Sequence, residues 1–264
     1  MMTEDESTFV RSIARGLKVI EAMSGVQDGL SLSEMATRVD LDRATARRIL
    51  LTLQSLGYVR QAGKRFFLSP KVLGLGYAYL SGTPLWSVSA PYLMTAATAI
   101  SGSCSIAVLE GNEAIYVARQ TSGKRSLAQS VEIGTHFPLY CTSAGKVLLA
   151  GLSDDEFQEY MATTKLNAFT TRTITSAPKL RTEVEHVRMQ GWAISDQEYE
   201  DGVRSVAVPI FDATGKIVAA MVASSQASRL VDDDWGSLAD DHRRILIDAL
   251  EPLAPLWWAQ TPDR

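Results

Sequence analysis

The chain has 264 residues, 46% of them hydrophobic and 21% charged, with a formal net charge of −4. Such a chain can bury two cores, which excludes a disordered protein beyond a mobile arm at residues 1–8 and a tail at 260–264. No apolar run reaches membrane-spanning length, and Met1 to Glu6 lacks the basic and apolar regions of a signal peptide, so no membrane partner and a cytoplasmic location are expected.

Residues 9–69 read as a DNA-reading domain. Phe9 to Met23 carries Val10, Ile13, Leu17, Ile20 and Met23 at helical spacing and is expected to bury that face as a scaffold, with Arg11, Arg15 and Lys18 mostly off it. Ser31 caps a second helix in which Leu32, Met35, Ala36 and Val39 share a face, and Asp40-Leu41 breaks it. Asp42 caps a third, Arg43 to Leu53, which begins polar and basic and ends apolar. That asymmetry suits a recognition helix. Arg43, Thr45, Arg47 and Arg48 can reach phosphates and base edges, and Ala44 allows close approach to the groove. Ala46, Ile49, Leu50 and Leu53 would hold the helix on its domain.

Gly57 ends that helix, and Tyr58 to Arg60, Gln61 to Lys64, and Arg65 to Leu68 read as strand, turn and strand, a wing with Lys64 and Arg65 at its tip. Between Phe9 and Leu68 ten basic residues, Arg11 and Arg15 among them, stand against five acidic ones, a net of +5. A basic segment on an acidic chain is a footprint for phosphates. The reading is a winged helix-turn-helix on double-stranded DNA; the same apolar spacing also occurs in helical hairpins that touch no nucleic acid.

Ser69-Pro70 opens a linker helix, Lys71 to Leu80, within a linker at residues 70–85. Gly74 and Gly76 are costly inside a helix unless another helix packs closely, so the linker reads either as a dimer contact or as tolerant surface.

Residues 86–259 alternate helices with short β-rich strands. Pro91 to Ser101 is expected as a helix, Ser105 to Leu109 and Ala114 to Ala118 as strands about a turn, and Leu127 to Ile133 as a third strand. Helices follow at Thr142 to Leu152, Ser153 to Thr163 and Ser176 to Gln190, the last closed by Gly191. Strands Trp192 to Ser195, Ser205 to Phe211 and Lys216 to Ser225 come next, and a final helix covers Val231 to Trp257. Antiparallel strands with segregated helices make an α+β domain that can hold a small ligand on one sheet face. Cys104 and Cys141 fit a reducing compartment as buried hydrophobes. His136, His186 and His242 lack ligand spacing, so neither metal nor cofactor is expected.

Over nearly its whole length the chain resembles the IclR family of bacterial transcription regulators. The matching words are Arg11 to Leu17, Asp42 to Arg48, Leu56-Gly57-Tyr58-Val59 and Leu73-Gly74-Leu75-Gly76 in the first domain. In the second they are Tyr140 to Ala150, Gly191-Trp192-Ala193, Gly202 to Pro209 and Ala227-Ser228-Arg229. The resemblance implies a winged helix-turn-helix, a linker helix and a GAF-like effector domain, a non-enzyme acting as a homodimer that pairs into a tetramer on its operator. Phe9 to Ser12, Gly76 to Ser81 and Ser103-Cys104-Ser105 are most similar to the branch that regulates protocatechuate, 4-hydroxybenzoate and β-ketoadipate catabolism. The chain departs from that branch at Ala128-Gln129-Ser130 and Ser224-Ser225-Gln226.

The family's ligand positions carry over as Ser143, Ala144 and Gly145 at the start of the Thr142 helix, preceded by Tyr140 and Cys141, and as Ser195, Ser205 and Ser224 on strands. Where the family sometimes has an acidic contact, this chain has Ser195 followed by Asp196. A carboxylic, aromatic acid suits these positions: a helix N-terminus stabilises a carboxylate, serine hydroxyls fix it, and Tyr140 or Tyr116 stacks a ring. Each serine taken alone reads equally as a cap or strand residue. Ser143 and Lys146 also have the Ser-x-x-Lys spacing of serine acyl enzymes, one helical turn apart, but the partner motifs Ser-Asp-Asn and Lys-Thr-Gly are absent.

Overall fold

The computed structural model describes residues 8–82, 88–122, 131–227 and 235–253. The chain divides into two compact units, residues 1–82 and 83–264, each with its own core. The boundary falls inside the expected 70–85 linker.

In the first unit α1 spans Arg11–Glu21, α2 Leu32–Arg38 and α3 Arg43–Ser55. Ser31 starts α2 through a capping box: its hydroxyl accepts from the Glu34 N–H, and the Glu34 carboxylate accepts from the Ser31 N–H at 2.7 Å. Asp40 takes the left-handed conformation that turns the chain, and Asp42 accepts the Thr45 N–H at 2.9 Å to start α3. Val19, Met23, Met35, Val39, Leu50, Leu53, Val59 and Phe66 form the core.

The wing is β2 (Val59–Ala62) and β3 (Arg65–Leu68), joined by Gly63-Lys64, with Gly63 at positive φ as a two-residue turn requires. The turn is shorter than the expected Gln61 to Lys64, because Gln61 and Ala62 pair with Phe66 and Arg65. A two-residue strand β1, Leu30–Ser31, adds to β3 and has no counterpart in the sequence reading.

Two expectations are corrected here. The α1 face of Val10, Ile13 and Leu17 is exposed, Ile13 at 62%, and the helix packs inward through Val19, with Ile20 and Met23 beside it. Periodicity identified an apolar face but not what covers it. The linker is a 3₁₀ turn, Pro70–Val72, followed by α4, Leu73–Gly82, with no buried residue; Leu73 is 75% and Tyr77 70% exposed. Nothing lies within 4 Å of a side chain added at Gly74 or Gly76, so no close approach within the chain explains these glycines.

The second unit is built on one antiparallel sheet in the order β6-β5-β4-β9-β8-β7. The strands are β4 (Ser103–Glu110), β5 (Glu113–Thr121), β6 (His136–Pro138), β7 (Ala193–Asp196), β8 (Val203–Phe211) and β9 (Ile217–Gln226). The helices are α5 (Ala90–Ile100), α6 (Ser143–Ala150), α7 (Asp154–Thr163), α8 (Ala177–Gln190) and α9 (Trp235–Leu250). Strand alternation gives two buried faces. Ala107, Tyr116, Ala207, Ala220 and Val222 join α6 to α8 in one core. Cys104, Ile106, Val206, Val208, Met221 and Ala223 are buried on the other face, where α5 and α9 pack.

The expected strand at Leu127 to Ile133 is corrected at residues 131–133, its described part. Residues 131–133 are irregular and the pairing strand is β6, because Gly134 at φ +87° and a Glu132–Thr135 turn redirect the chain first. Residues 127–130 lie outside the described ones, as do residues 1–7 of the arm, the tail, and positions 231–234 and 254–257 of the final helix. No helix among the described residues is long and apolar enough to cross a membrane.

On α9, His242 is buried against Trp235, with ring centroids 6.3 Å apart, and its Nδ1 has no hydrogen-bond partner. Burial lowers its pKa below the usual 6.5, which the Asp241 charge only partly opposes. The unfolded chain takes up this proton near pH 6.5 and the folded one only at lower pH, so stability is lost as pH falls from the unfolded value towards the lowered folded one. The unfolding temperature should therefore drop between pH 7.5 and 5.5, and His242→Phe should flatten that drop in a pH series of melting curves.

Candidate functional site

Each unit carries one candidate site. On the first, Asp42 fixes the start of α3, and the buried Ala46, Leu50 and Leu53 turn the opposite side of its first turns outward. Arg43, Ala44, Arg47 and Arg48 are exposed there, and Thr45 is half-buried. Lys64 stands at the exposed wing tip, and Arg11 and Arg15 lie exposed on α1. Arg65 has a different task. Its guanidinium donates to the carbonyls of Asp28 at 2.8 Å and Gly29 at 3.0 Å and pairs with Glu34 at 3.3 Å. It ties the wing to the α2 start, which replaces the expectation that it sits at the tip holding phosphate. Arg60, stacked 4.4 Å over Phe67, braces the wing's two strands.

On the second unit a pocket of about 420 Å³, its mouth included, opens on the α6 face of the sheet. One wall is aromatic: Tyr116 meets Phe137 edge-on at 5.2 Å, and Phe137 meets Tyr199 at 5.0 Å. The floor is polar. Cross-strand register places Ser195 opposite Ser205, Ser205 opposite Ser224, Ser224 opposite Ser103, and Ser103 opposite Thr121. A row of hydroxyls thus crosses five strands, and Ser195, Ser205 and Ser224 of that row line the pocket with Thr142, Val131, Val203 and Glu200.

The start of α6 borders this row. The Thr142 hydroxyl caps the helix by accepting from the Gly145 N–H at 3.1 Å. The N–H groups of Ser143 and Ala144 have no acceptor among the described residues. Ser143 donates to the Ser205 hydroxyl at 2.8 Å, and Ser195 donates to the Cys141 carbonyl at 3.1 Å. Gly145 is fixed by space: a Cβ there would stand 2.2 Å from the Leu139 carbonyl oxygen. Arg119 stands one row along the same sheet face, opposite Ser105. Burial pulls its pKa down, the charges of Tyr116 and Glu132 oppose this, and no hydrogen bond or ion pair holds it among the described residues.

The structure brings Tyr116, Ser195, Ser205 and Ser224 together at the pocket and places Ser143 directly behind Ser205. It moves others away. The Tyr140 hydroxyl donates to the Asn167 carbonyl at 2.9 Å and accepts its N–H, so Tyr140 is not the ring-stacking group. Ala144 and Cys141 are core residues, and burial pushes the Cys141 thiol up to about 12. Asp196 points to the other sheet face, where it pairs with Arg204 and Arg172, each at 2.6 Å. Burial raises its pKa, but the Arg204 and Gln197 hydrogen bonds and the two arginine charges outweigh this and hold it below the usual value. Phe137, Tyr199 and Glu200 join the pocket without having been anticipated. Phe137 follows a misplaced strand, and the other two occupy a turn that no periodicity describes.

Ser143 and Lys146 do not form a nucleophilic pair. The Lys146 ammonium is buried and committed to Glu198 at 2.6 Å, Glu183 at 3.0 Å and the Ile194 carbonyl at 3.0 Å. Burial raises the Glu198 pKa, and the Lys146 charge opposes that shift. Removing one member of a buried ion pair strands the other. Lys146→Ala should therefore destabilise the second unit by about 3–5 kcal/mol. Chemical denaturation should also show that Lys146→Met with Glu198→Leu recovers part of the loss.

The IclR helix-turn-helix domain model matches residues 12–63, and the bacterial transcriptional regulator IclR C-terminal model matches residues 77–245. The chain is 40% identical over 222 residues to the Pca regulon regulatory protein of Pseudomonas putida, covering 84% of this chain and 76% of that protein. It is 32% identical over 232 residues to the p-hydroxybenzoate hydroxylase transcriptional activator of Acinetobacter baylyi, covering 86% and 84%. A crystal structure of a transcriptional regulator from Rhodococcus sp. RHA1, 42% identical, superposes with a TM-score of 0.78 over 94% of this chain and 100% of that one. With a winged helix-turn-helix before a pocket on an antiparallel sheet, and with both models and these relatives matching, the chain belongs to the IclR family of bacterial transcriptional regulators.

Proposed function

We propose that the chain is a cytoplasmic regulator that reads an operator through α3 and the wing and responds to a small aromatic carboxylic acid bound in the second unit. The observation that carries this reading is the pocket's composition. A wall of three rings lies beside a serine row and the amide end of a helix. The rings suit a planar apolar body, and hydroxyls with unpaired N–H groups suit a carboxylate. Arg119 adds a positive charge to the same face of the sheet. Relatives that regulate aromatic-acid catabolism point the same way.

The chain acts as a homodimer, and dimers pair on DNA. The exposed apolar residues of α1 and α4, Ile13, Leu17, Leu73, Leu75 and Tyr77, support a second copy as what covers them. Dimers read paired half-sites about one helical turn apart.

Two measurements test this reading. In thermal unfolding against benzoate, protocatechuate, 4-hydroxybenzoate, pyruvate and glyoxylate, an aromatic acid at 100 times its Kd should stabilise the protein by about 2.7 kcal/mol. A shift with the two-carbon or three-carbon acids alone would defeat the aromatic assignment. In operator titrations, Arg43→Ala, Arg47→Ala or Arg48→Ala should cost about 1–3 kcal/mol and relax one operator position where the arginine reads a base, whereas Lys64→Ala should weaken all sequences alike and flatten the salt dependence. Unchanged affinity and preference in all three arginine variants would remove α3 from the major groove.

A further inference from the structure

We propose that Glu200 reads a hydroxyl group on the effector, so that the pocket takes a hydroxylated aromatic acid in preference to the unsubstituted one. This rests on the aromatic-acid reading above and adds to it the group that distinguishes one such acid from another.

Glu200 lies in the connection between β7 and β8, after Tyr199, whose ring belongs to the aromatic wall. It lines the same pocket as Tyr116, Ser205 and Ser224. Its Oε2 is buried and has no hydrogen-bond partner. Buried carboxyl oxygens ordinarily have a donor, and one left without costs stability, so an unmatched acceptor facing a ligand cavity marks where a ligand donor belongs. The neighbouring Glu198, two residues earlier, also has an unpartnered Oε2, but its Oε1 is neutralised by Lys146 and it does not line the pocket. Among the described residues no cation plays that part for Glu200. Burial alone raises its pKa, with no charged neighbour contributing.

The choice of hydroxyl follows from charge. A second carboxylate beside Glu200 would be repelled, so the acid end of the ligand belongs at the serine row and the α6 start, away from Glu200. An ammonium group would be drawn to Glu200 but opposed by Arg119, which sits on the same face without an ion-pair partner among the described residues. A neutral O–H donates to a carboxyl acceptor and meets neither objection. A site built to bond a substrate hydroxyl discriminates sharply against the analogue that lacks it, because the acceptor is then left buried and unpaired.

The test is isothermal titration of the full chain with benzoate, 3-hydroxybenzoate and 4-hydroxybenzoate, using wild type, Glu200→Leu and Glu200→Gln. Wild type should bind one hydroxybenzoate at least about tenfold more tightly than benzoate. Glu200→Leu should close that gap by weakening the hydroxybenzoate while benzoate holds or tightens. Glu200→Gln, nearly isosteric and retaining an acceptor, should leave a reduced gap, and it carries the test should the leucine variant fail to fold. An undiminished hydroxyl preference in the variants overturns the assignment of Glu200 but leaves the aromatic-acid pocket standing. Failure of all three acids to bind wild type overturns both.

Discussion

The pocket depends on one buried ammonium group. Lys146 reaches from the second turn of α6 to Glu183 on α8, to the Ile194 carbonyl on β7 and to Glu198 beyond that strand. Its contacts fasten the helix whose amide end borders the serine row to the strand that carries Ser195. They also fasten it to the connection that carries Tyr199 and Glu200. A buried ion pair adds little net stability, since desolvation offsets much of the attraction. What it adds is position. With three acceptors around one ammonium, sliding α6 along the sheet would leave a charge unpaired in the interior, which makes the register of pocket wall against pocket floor a discrete choice. Gly145 supports this from the other side, because only a residue without Cβ lets α6 lie against the Leu139 backbone.

The DNA-reading unit follows a different logic, in which sequence-local devices do most of the work. The Ser31–Glu34 box, the left-handed turn at Asp40, the Asp42 cap and the Gly63-Lys64 turn each act within four residues. Such features are legible in a sequence because cause and effect are adjacent. Hence α2, α3 and the wing emerge close to their observed bounds, and the exposed arginines of α3 emerge with them. Arg65 shows the limit: its partners Asp28 and Gly29 lie some 36 residues earlier, and nothing local separates a wing-tip arginine from one that binds the wing down.

The pocket was legible in part. Ser195, Ser205 and Ser224 are legible through the family positions that the resemblance carries over, and Tyr116 as a ring on a strand expected near them. Tyr140 and Asp196 adjoin those motifs yet turn away, Tyr140 to Asn167 and Asp196 to Arg204, because neighbours on a strand or a tight turn face opposite sides. Tyr199 and Glu200 belong to a connection with no repeat period, so their convergence on Phe137 and Tyr116 exists only once the sheet has formed. The hydroxyl row is the clearest case. Five serines and threonines scattered from Ser103 to Ser224 become neighbours through strand register alone.

Regulation requires that the ligand prefer one arrangement of the molecule over another, and tight binding by itself does not supply that preference. The serine row lies within one continuous sheet whose register is fixed by backbone hydrogen bonds, so its hydroxyls keep their spacing. The β7–β8 connection is held from outside the sheet by Glu198 to Lys146 and by the Thr170 and Thr173 hydroxyls, which donate to the carbonyls of Gln197 and Glu198. The pocket is lined by both the sheet and this connection. Because the Glu198–Lys146 contact ties that connection to α6, under the proposed function a ligand-dependent shift of Tyr199 and Glu200 must be shared with α6 rather than confined to the connection.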